Sequence, residues 1–593
     1  MLLVSLPFIM MLLSIYVPFI SPDAFISKFS PEPNFEIEHF LGLGIWVFLI
    51  PYIVLFAIKN TEYYGKANAV TRVAICASGA LALLDPFASN YNPGFFFLLL
   101  LIALFLLWSL YWKREVKEKM AAGEFPLTVD PNGKFGFPTD SLHMNVQIIG
   151  GTGTGKTHYV IKPFIEQTIN QGLGCFIYDV KGNMVHDVAF YIKNATGRGN
   201  DLFLFDIGDP RTSHTYNPLF GSNPDAIANR VFTALYYDTQ KSEPYYVDLA
   251  KAFLHNLISL LMKEVQTITF ADLLHATEEA ETFRTIQWFC AKYPDLPQAR
   301  YFRNQWLEKT GKQRQTELSG LINKLQRFCN CTWAPLLNTR RPDVTMERVL
   351  DENRVFLFSP DAARYPEDAK PLAILAMMDL AEQTAERQRN QPKKPFRVFL
   401  DEFYNLAYPR FIDFINKCRE AEVNLFLAHQ SLGDLRGVSQ EFQEQVMNTA
   451  RNKILLGVDD PETAEHFARQ FGTEEDKDYQ VESYDSSGVL AGYSKPKVEK
   501  FRFHPNQIKE LRTGEAIVKI VSKNKPYVFQ TALKPATTAP KGFNWSYALG
   551  YRVVSIWDKT KDKTLVEIMK NFDELNPKRG KNNNDLMGGK HAA

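Results

Sequence analysis

The sequence of 593 residues has almost no net charge, with 67 basic and 66 acidic side chains. Residues 1–112 hold four basic and six acidic ones, leaving 63 and 60 in the remainder. That balance excludes a basic coat, so any nucleic-acid contact is confined to a local patch or a channel lining. Cysteine is also scarce. Cys76, Cys175, Cys290, Cys329, Cys331 and Cys418 form no CxxC pair, and Cys329 and Cys331 have no histidine or second cysteine pair nearby. Neither a disulfide framework nor a zinc site is expected, and the thiols read as reduced ones in a cytosolic compartment.

Charge is missing entirely from three long stretches: 1–20, 40–58 and 86–112. Each can cross a hydrocarbon core, which takes ~20 residues. The first lacks the basic flank and small-residue cleavage site of a signal peptide. Residues 21–39 carry one Lys and four acids, which suits the outside. Lys59, Lys66 and Arg72, and later "KREVKEK", suit the cytoplasm. Two cytoplasmic flanks require an even number of crossings between them. A weaker span near 67–84, or a re-entrant segment there, is therefore expected. Residues 1–112 read as a multi-pass transmembrane region of three to four helices, with the bulk of the chain on the cytoplasmic side.

Beyond this region lies a phosphate grip. "MNVQIIG" reads as a buried strand, "GGTGTGKT" matches G-x-x-x-x-G-K-[ST], and "HYVIKPFIEQTIN" runs at helical spacing. Gly150, Gly151, Thr152, Gly153, Thr154, Gly155, Lys156 and Thr157 form the loop. Glycines let its N–H groups curl towards phosphates at a helix N-terminus. Lys156 is assigned to the β- and γ-phosphates of ATP and the Thr157 hydroxyl to Mg2+. "FRVFLDEFYNLA" supplies the acidic partner. Asp401 would complete the Mg2+ shell and Glu402 would polarise the attacking water. "VNLFLAHQS" is a further strand; its Gln430 reads either as a γ-phosphate sensor or as a strand-capping amide. Arg419, just before that strand, reads either as an arginine finger acting on a neighbour's nucleotide or as a plain surface residue.

"LGCFIYDVKGN", ending in Asp179 and Lys181, "RVFLFSP" and "GEAIVKIV" are further strands. Strands alternating with helical segments predict a mostly parallel, doubly wound α/β sheet. The strand signal stops between Asn223 and Asn338. There "YVDLAKAFLHNLISLLMKEV" places Val247, Ala250, Phe253, Leu254, Leu257, Ile258 and Leu261 on one helix face. The expected organisation is a transmembrane region (1–112), an NTPase part with the P-loop (113–222), an inserted all-α domain (223–340), a second NTPase part with the acidic pair (341–540), and an extension with a disordered basic tail (541–593). Residues 473–499 read as a mobile loop or hairpin.

The order of "GGTGTGKT", "YDVKGN", "TYNPLF", a helical insertion, "FLDEFYNLA", "CREAEVNLFLAHQS" and "HPNQIKELRTGEAIV" resembles the TraG/TraD family of type IV secretion coupling proteins over most of 140–522. Four spans exceed the two usual there, and Asn183 stands where an acidic residue is more usual. The resemblance implies a homo-hexameric ring of RecA-like ATPase domains at the bacterial inner membrane. Its helical insertion would dock the relaxosome, and single-stranded DNA with its relaxase would pass to the secretion channel. It also supports Arg419 as the trans-acting arginine and Gln430 as the sensor. A coupling ATPase for protein effectors and a nucleotide-switched docking receptor remain open alternatives. The missing terminal winged-helix-like segment and the Tyr-Asn-Pro-Leu block argue against a chromosome-segregation pump.

Overall fold

The computed structural model describes residues 125–549 except 196–197, 239–242, 279–282, 390–393, 476–480, 485–489 and 495–498. The expected membrane spans and the tail beyond 550 lie outside these residues. No helix among the described residues is long and apolar enough to cross a membrane.

Nine strands make the central sheet: β1 (Val146–Ile149), β2 (Gly174–Tyr178), β3 (Leu202–Asp206), β4 (Val355–Ser359), β5 (Phe396–Leu400), β6 (Val423–His429), β7 (Asn452–Leu455), β8 (Glu515–Ser522) and β9 (Lys525–Ala532). Their order is β9-β8-β7-β1-β6-β5-β2-β4-β3. β1 to β7 pair in parallel; β8 runs antiparallel to both β7 and β9. The result is a mixed α/β fold built on a large parallel sheet.

Strand side chains alternate between two faces, as the pleat requires. Phe176 and Tyr178, Phe356 and Phe358, Val398 and Leu400, and Leu425 and Leu427 enter one core. Cys175 and Ile177, Val355 and Leu357, and Phe399 and Phe426 enter the other. Buried on both faces, these strands read as unbroken apolar runs. Helices α1 (Lys162–Asn170) and α2 (Val185–Asn194) supply the second core with Phe164, Ile165, Val188 and Ile192.

The first core receives α3 (Pro224–Leu235), α4 (Pro244–Leu261), α5 (Phe270–Glu278), α6 (Arg284–Lys292), α7 (Gly311–Cys329) and α8 (Pro366–Arg387). All seven apolar residues anticipated on one face of α4 are buried. Phe253 meets Phe283, Phe302 and Trp306 edge-on, with Phe253 and Trp306 ring centres 4.9 Å apart. The helical stretch and the sheet face share one hydrophobic cluster rather than two.

The "TYNPLF" element closes this helical excursion at its base. Thr215 donates through its N–H (2.9 Å) and hydroxyl (2.8 Å) to the Asp343 carboxylate, 128 residues on. Asn217 donates to the carbonyls of Ile268 and Thr339, each at 2.9 Å. Tyr216 donates to Asp379 of α8 at 2.7 Å, and Asp379 pairs with Arg230 of α3 at 3.1 Å. Arg230 also reaches Glu382 and the Pro218 carbonyl. The motif is therefore a clamp that ties both ends of the helical stretch to the sheet domain.

Residues 473–475 pair antiparallel with 499–501, and 481–484 with 490–494, so the predicted loop or hairpin is a hairpin. The chain after β9 returns over the second core, where Phe543 meets Phe190 edge-on at 5.4 Å.

Candidate nucleotide site

The loop Gly150–Thr157 leaves the carboxyl end of β1, flanked by β6 and β7. The acidic strand β5 lies one strand further, beyond β6. The carboxyl ends of β1, β6 and β5 therefore share one edge of the sheet, where open α/β sheets bind ligands.

The Thr157 hydroxyl donates to Asp401 Oδ2 at 2.7 Å, joining positions 244 apart in sequence. Gln430 follows β6, and its Oε1 accepts from the Thr152 hydroxyl at the loop tip at 3.0 Å. Asp434 holds the backbone N–H groups of Gln430 (2.7 Å) and Ser431 (3.2 Å). Lys156 donates to the carbonyls of Gly150 (2.6 Å) and Gly151 (3.2 Å), folding back over the loop. Burial pulls its pKa below the usual lysine range, while Asp401, Glu402 and Asp434 pull it back. Burial also raises Asp401, against the hydrogen bond from Thr157.

Glu402 has φ 50°, in the left-handed region. A non-glycine residue held there costs roughly 1–2 kcal/mol, and such strain concentrates at functional positions. The turn aims its carboxylate at Lys181, whose Nζ lies 2.6 Å from Oε1. Asn405 donates to its other oxygen at 3.3 Å. Asp179, on the same turn as Lys181, accepts from the N–H groups of Lys181, Gly182 and Met184. Its burial pushes its pKa up to about 6.

Arg419 is not brought to this cluster within one chain. It sits exposed in a short turn, Cys418–Ala421, ahead of β6. At ~3.3 Å per residue that is about 20 Å along the strand from Gln430.

Gly155 has φ +90°, and an added Cβ would lie 2.5 Å from Cδ2 of Tyr159. Gly155→Ala therefore combines backbone strain with a ring clash. Nucleotide affinity is expected to fall about ten-fold or more, since left-handed strain alone approaches 1–2 kcal/mol. Titration with a fluorescent nucleotide analogue checks this; unchanged affinity would mean the ring yields freely.

Beneath the loop runs a buried polar chain that sequence reading missed. Lys453 of β7 donates to Gln147 of β1 and to the carbonyls of Met447 (2.9 Å) and Ala450 (2.6 Å). Gln147 Nε2 lies 2.7 Å from His429 Nε2, and His429 Nδ1 lies 2.9 Å from the Ser431 carbonyl. A carbonyl only accepts, so Nδ1 carries the proton and Nε2 accepts from the Gln147 amide. Burial pushes the His429 pKa down from 6.5 to about 4. The unfolded chain then binds a proton that the folded chain refuses. The resulting stability is whole above pH 6.5 and lost as pH falls towards 4. The stability advantage of the native chain over His429→Asn is expected to shrink by about 3 kcal/mol between pH 7 and 4, at 1.36 kcal/mol per pKa unit. Paired urea melts measure it; a constant difference would contradict a neutral, buried ring.

Missed residues had modest signals. Ser431 and Asp434 have capping-box spacing and form that box. Gln147 and Lys453 stand out only as polar residues inside otherwise apolar strands.

Among the described residues no cluster of three His, Cys, Asp or Glu could hold a metal ion. A hydroxyl and a carboxylate meeting at the foot of a phosphate loop are hard oxygen donors. Magnesium takes such a partial set and completes its shell with water and substrate phosphates.

A glycine-rich loop between strand and helix, with an acidic pair on the next strand but one, defines a P-loop NTPase fold. Residues 132–528 match the family described as the type IV secretion-system coupling protein DNA-binding domain. That is more than half of the chain, and the chain belongs to this TraG/TraD family of coupling proteins. Among solved structures it is similar to the plasmid coupling protein TrwB in complex with the non-hydrolysable GTP analogue GDPNP, at 15% identity and TM-score 0.53, covering 72% of this chain and 94% of that one. It is similar to TrwB in complex with ADP and Mg2+, at 17% identity and TM-score 0.50, covering 69% and 89%. The unbound bacterial conjugative coupling protein TrwBdeltaN70 matches at 16% identity and TM-score 0.50, covering 68% and 88%. No curated protein sequence matches.

Proposed function

We propose that this chain is a membrane-anchored ATPase that drives single-stranded DNA, with its attached relaxase, towards a type IV secretion channel. One observation carries the hydrolytic part: the Thr157 hydroxyl on the Asp401 carboxylate at 2.7 Å. Two residues 244 positions apart in sequence meet at the foot of the loop, which supports a P-loop hydrolase.

Lys156 and the loop amides bind the phosphates of ATP. Thr157 and Asp401 would hold a magnesium ion, which neutralises phosphate charge when bound. Glu402 orients and polarises the attacking water. Gln430, bonded to Thr152 at the loop tip, is assigned the sensing of the terminal phosphate. Arg419, distant from its own loop, is assigned to the nucleotide of the next subunit. That assignment needs a closed, head-to-tail ring, for which a homo-hexamer of RecA-like domains is our reading. The uncharged stretches at 1–20, 40–58 and 86–112 anchor the ring in the inner membrane, with the ATPase in the cytoplasm. The relaxosome docks on the helical region.

Near-neutral charge suits a channel that grips a polymer backbone with a few basic groups per subunit. The test is ATP turnover by the full-length protein in detergent, with and without single-stranded DNA. Stimulated turnover is expected. Turnover that ignores DNA, together with no DNA binding, would favour export of protein cargo instead. No turnover under any cargo or lipid condition would overturn the motor reading.

A further inference from the structure

We propose that Lys181 withholds Glu402 from the attacking water, and that an arriving phosphate group releases it by drawing the ammonium away. This inference rests on the hydrolytic reading above and adds the control of the same site.

The geometry is specific. β2 and β5 are neighbours in the sheet, paired from Gly174 and Phe396 to Tyr178 and Leu400. Their carboxyl ends therefore present Lys181 and Glu402 side by side. Glu402 Oε1 is 2.6 Å from Lys181 Nζ, within direct hydrogen-bond reach. The second oxygen accepts from Asn405 at 3.3 Å. Both carboxylate oxygens are thus engaged, and a carboxylate that accepts from an ammonium is a weaker acceptor for a water proton.

The two partners differ in exposure. The Glu402 side chain is 17% exposed, whereas the Lys181 side chain is 63% exposed. The carboxylate is fixed by its turn; the lysine is a long, solvated arm that can swing. A dianionic phosphate competes well for such an arm. The backbone under Lys181 stays anchored when the arm leaves, because Asp179 holds the N–H groups of Lys181, Gly182 and Met184. Removing the ammonium therefore changes the electrostatics at Glu402 and leaves the turn in place.

Two sources of phosphate fit this chemistry, the terminal phosphate of bound nucleotide and a backbone phosphate of single-stranded DNA. The experiment separates them. ATP turnover is measured for the native full-length protein, Lys181→Met and Lys181→Arg, across ATP concentration, with and without a single-stranded oligonucleotide. Nucleotide affinity is measured in parallel with a fluorescent analogue.

Lys181→Met is expected to raise turnover in the absence of DNA by roughly two- to five-fold, the range open to a partly exposed ion pair. Lys181→Arg is expected to restore the native rate. Nucleotide affinity stays close to native if DNA is the source and shifts if the nucleotide is, because breaking the pair is then coupled to nucleotide binding. If DNA is the source, the gap between Met variant and native protein persists at saturating ATP and closes on adding DNA. If the nucleotide is the source, the gap closes at saturating ATP without DNA. Lower turnover in Lys181→Met at unchanged affinity would overturn the inference, because Lys181 would then be assisting the reaction. Equal turnover in all conditions would overturn it too, marking the pair as incidental. A native protein that never hydrolyses ATP would overturn the hydrolytic reading and this inference with it. Activity of the native protein tells the two failures apart.

Discussion

Replacing Glu402 by Gln is expected to leave nucleotide affinity nearly native and to cut turnover by about 10²–10⁴-fold, the usual weight of a positioned base. The carboxylate bonds neither Lys156 nor the loop amides, so phosphate binding should survive. On the proposed hydrolytic role, what is lost is the charge that polarises water, and Gln preserves the volume and the left-handed turn. The turn also limits compensation, since Glu402 is the residue whose φ is 50°. Its neighbour Asp401 is committed to Thr157 and cannot take over. Single-turnover ATPase assays check the rate, and transfer of cargo in cells checks its meaning. An inert ATPase that still supports full transfer would make nucleotide an assembly switch rather than a fuel. Native turnover in the Glu402→Gln variant would remove this carboxylate from the chemistry.

The largest effect on stability is expected from Arg230→Met. The guanidinium is 1% exposed and compensates Asp379, which is 3% exposed on α8. Removing one partner of a buried pair costs about 3–5 kcal/mol, because the other charge stays buried. Burial already pushes Asp379 up to about 6, with Arg230 acting against that rise. Without Arg230 the carboxyl moves higher still, and the folded chain holds a proton that the unfolded chain releases. Stability then falls as pH rises, so Arg230→Met should regain stability on acidification from pH 7 to 5. Adding Asp379→Asn should recover much of the loss at pH 7. A variant insensitive to both pH and the second substitution would place the cost in lost packing, not charge. Denaturant melts of the four proteins in the cycle decide it.

The parts of this fold that the sequence displays are those where one physical demand dominates. β1, β2, β4, β5, β6 and β8 are buried apolar runs and stand out as strands. β7 does not, because Asn452 and Lys453 open it. Both are fully buried, and their polarity is consumed by hydrogen bonds visible only in three dimensions. β9 is half exposed at the sheet edge and carries Lys525 and Pro526, so it lacks an apolar run. β3 (LFLFD) is as long and as apolar as β2, β4 and β5, so its strand was legible in the residues although it was not singled out.

At the site, the loop and the acidic pair are legible because phosphate chemistry fixes their residue types and spacing. The bond between Thr157 and Asp401 follows once both are placed. The pairing of Lys181 with Glu402 does not, because it depends on β2 lying beside β5, and strand order is not written in any local pattern. For the same reason Tyr216 and Asn217 were legible only as part of a family resemblance. Their work is to join distant backbone segments, and no spacing rule encodes that.

The shared cluster beneath the helical stretch has a practical consequence for engineering. A chimera that grafts residues 224–337 from a relative would arrive without its foundation. Phe356, Phe358 and the inner face of α8 belong to the recipient, yet they pack against the donor helices. Such a graft has to travel with the α8 surface and with Thr215–Leu219, or the transplanted cap will be soluble only where it can find another floor.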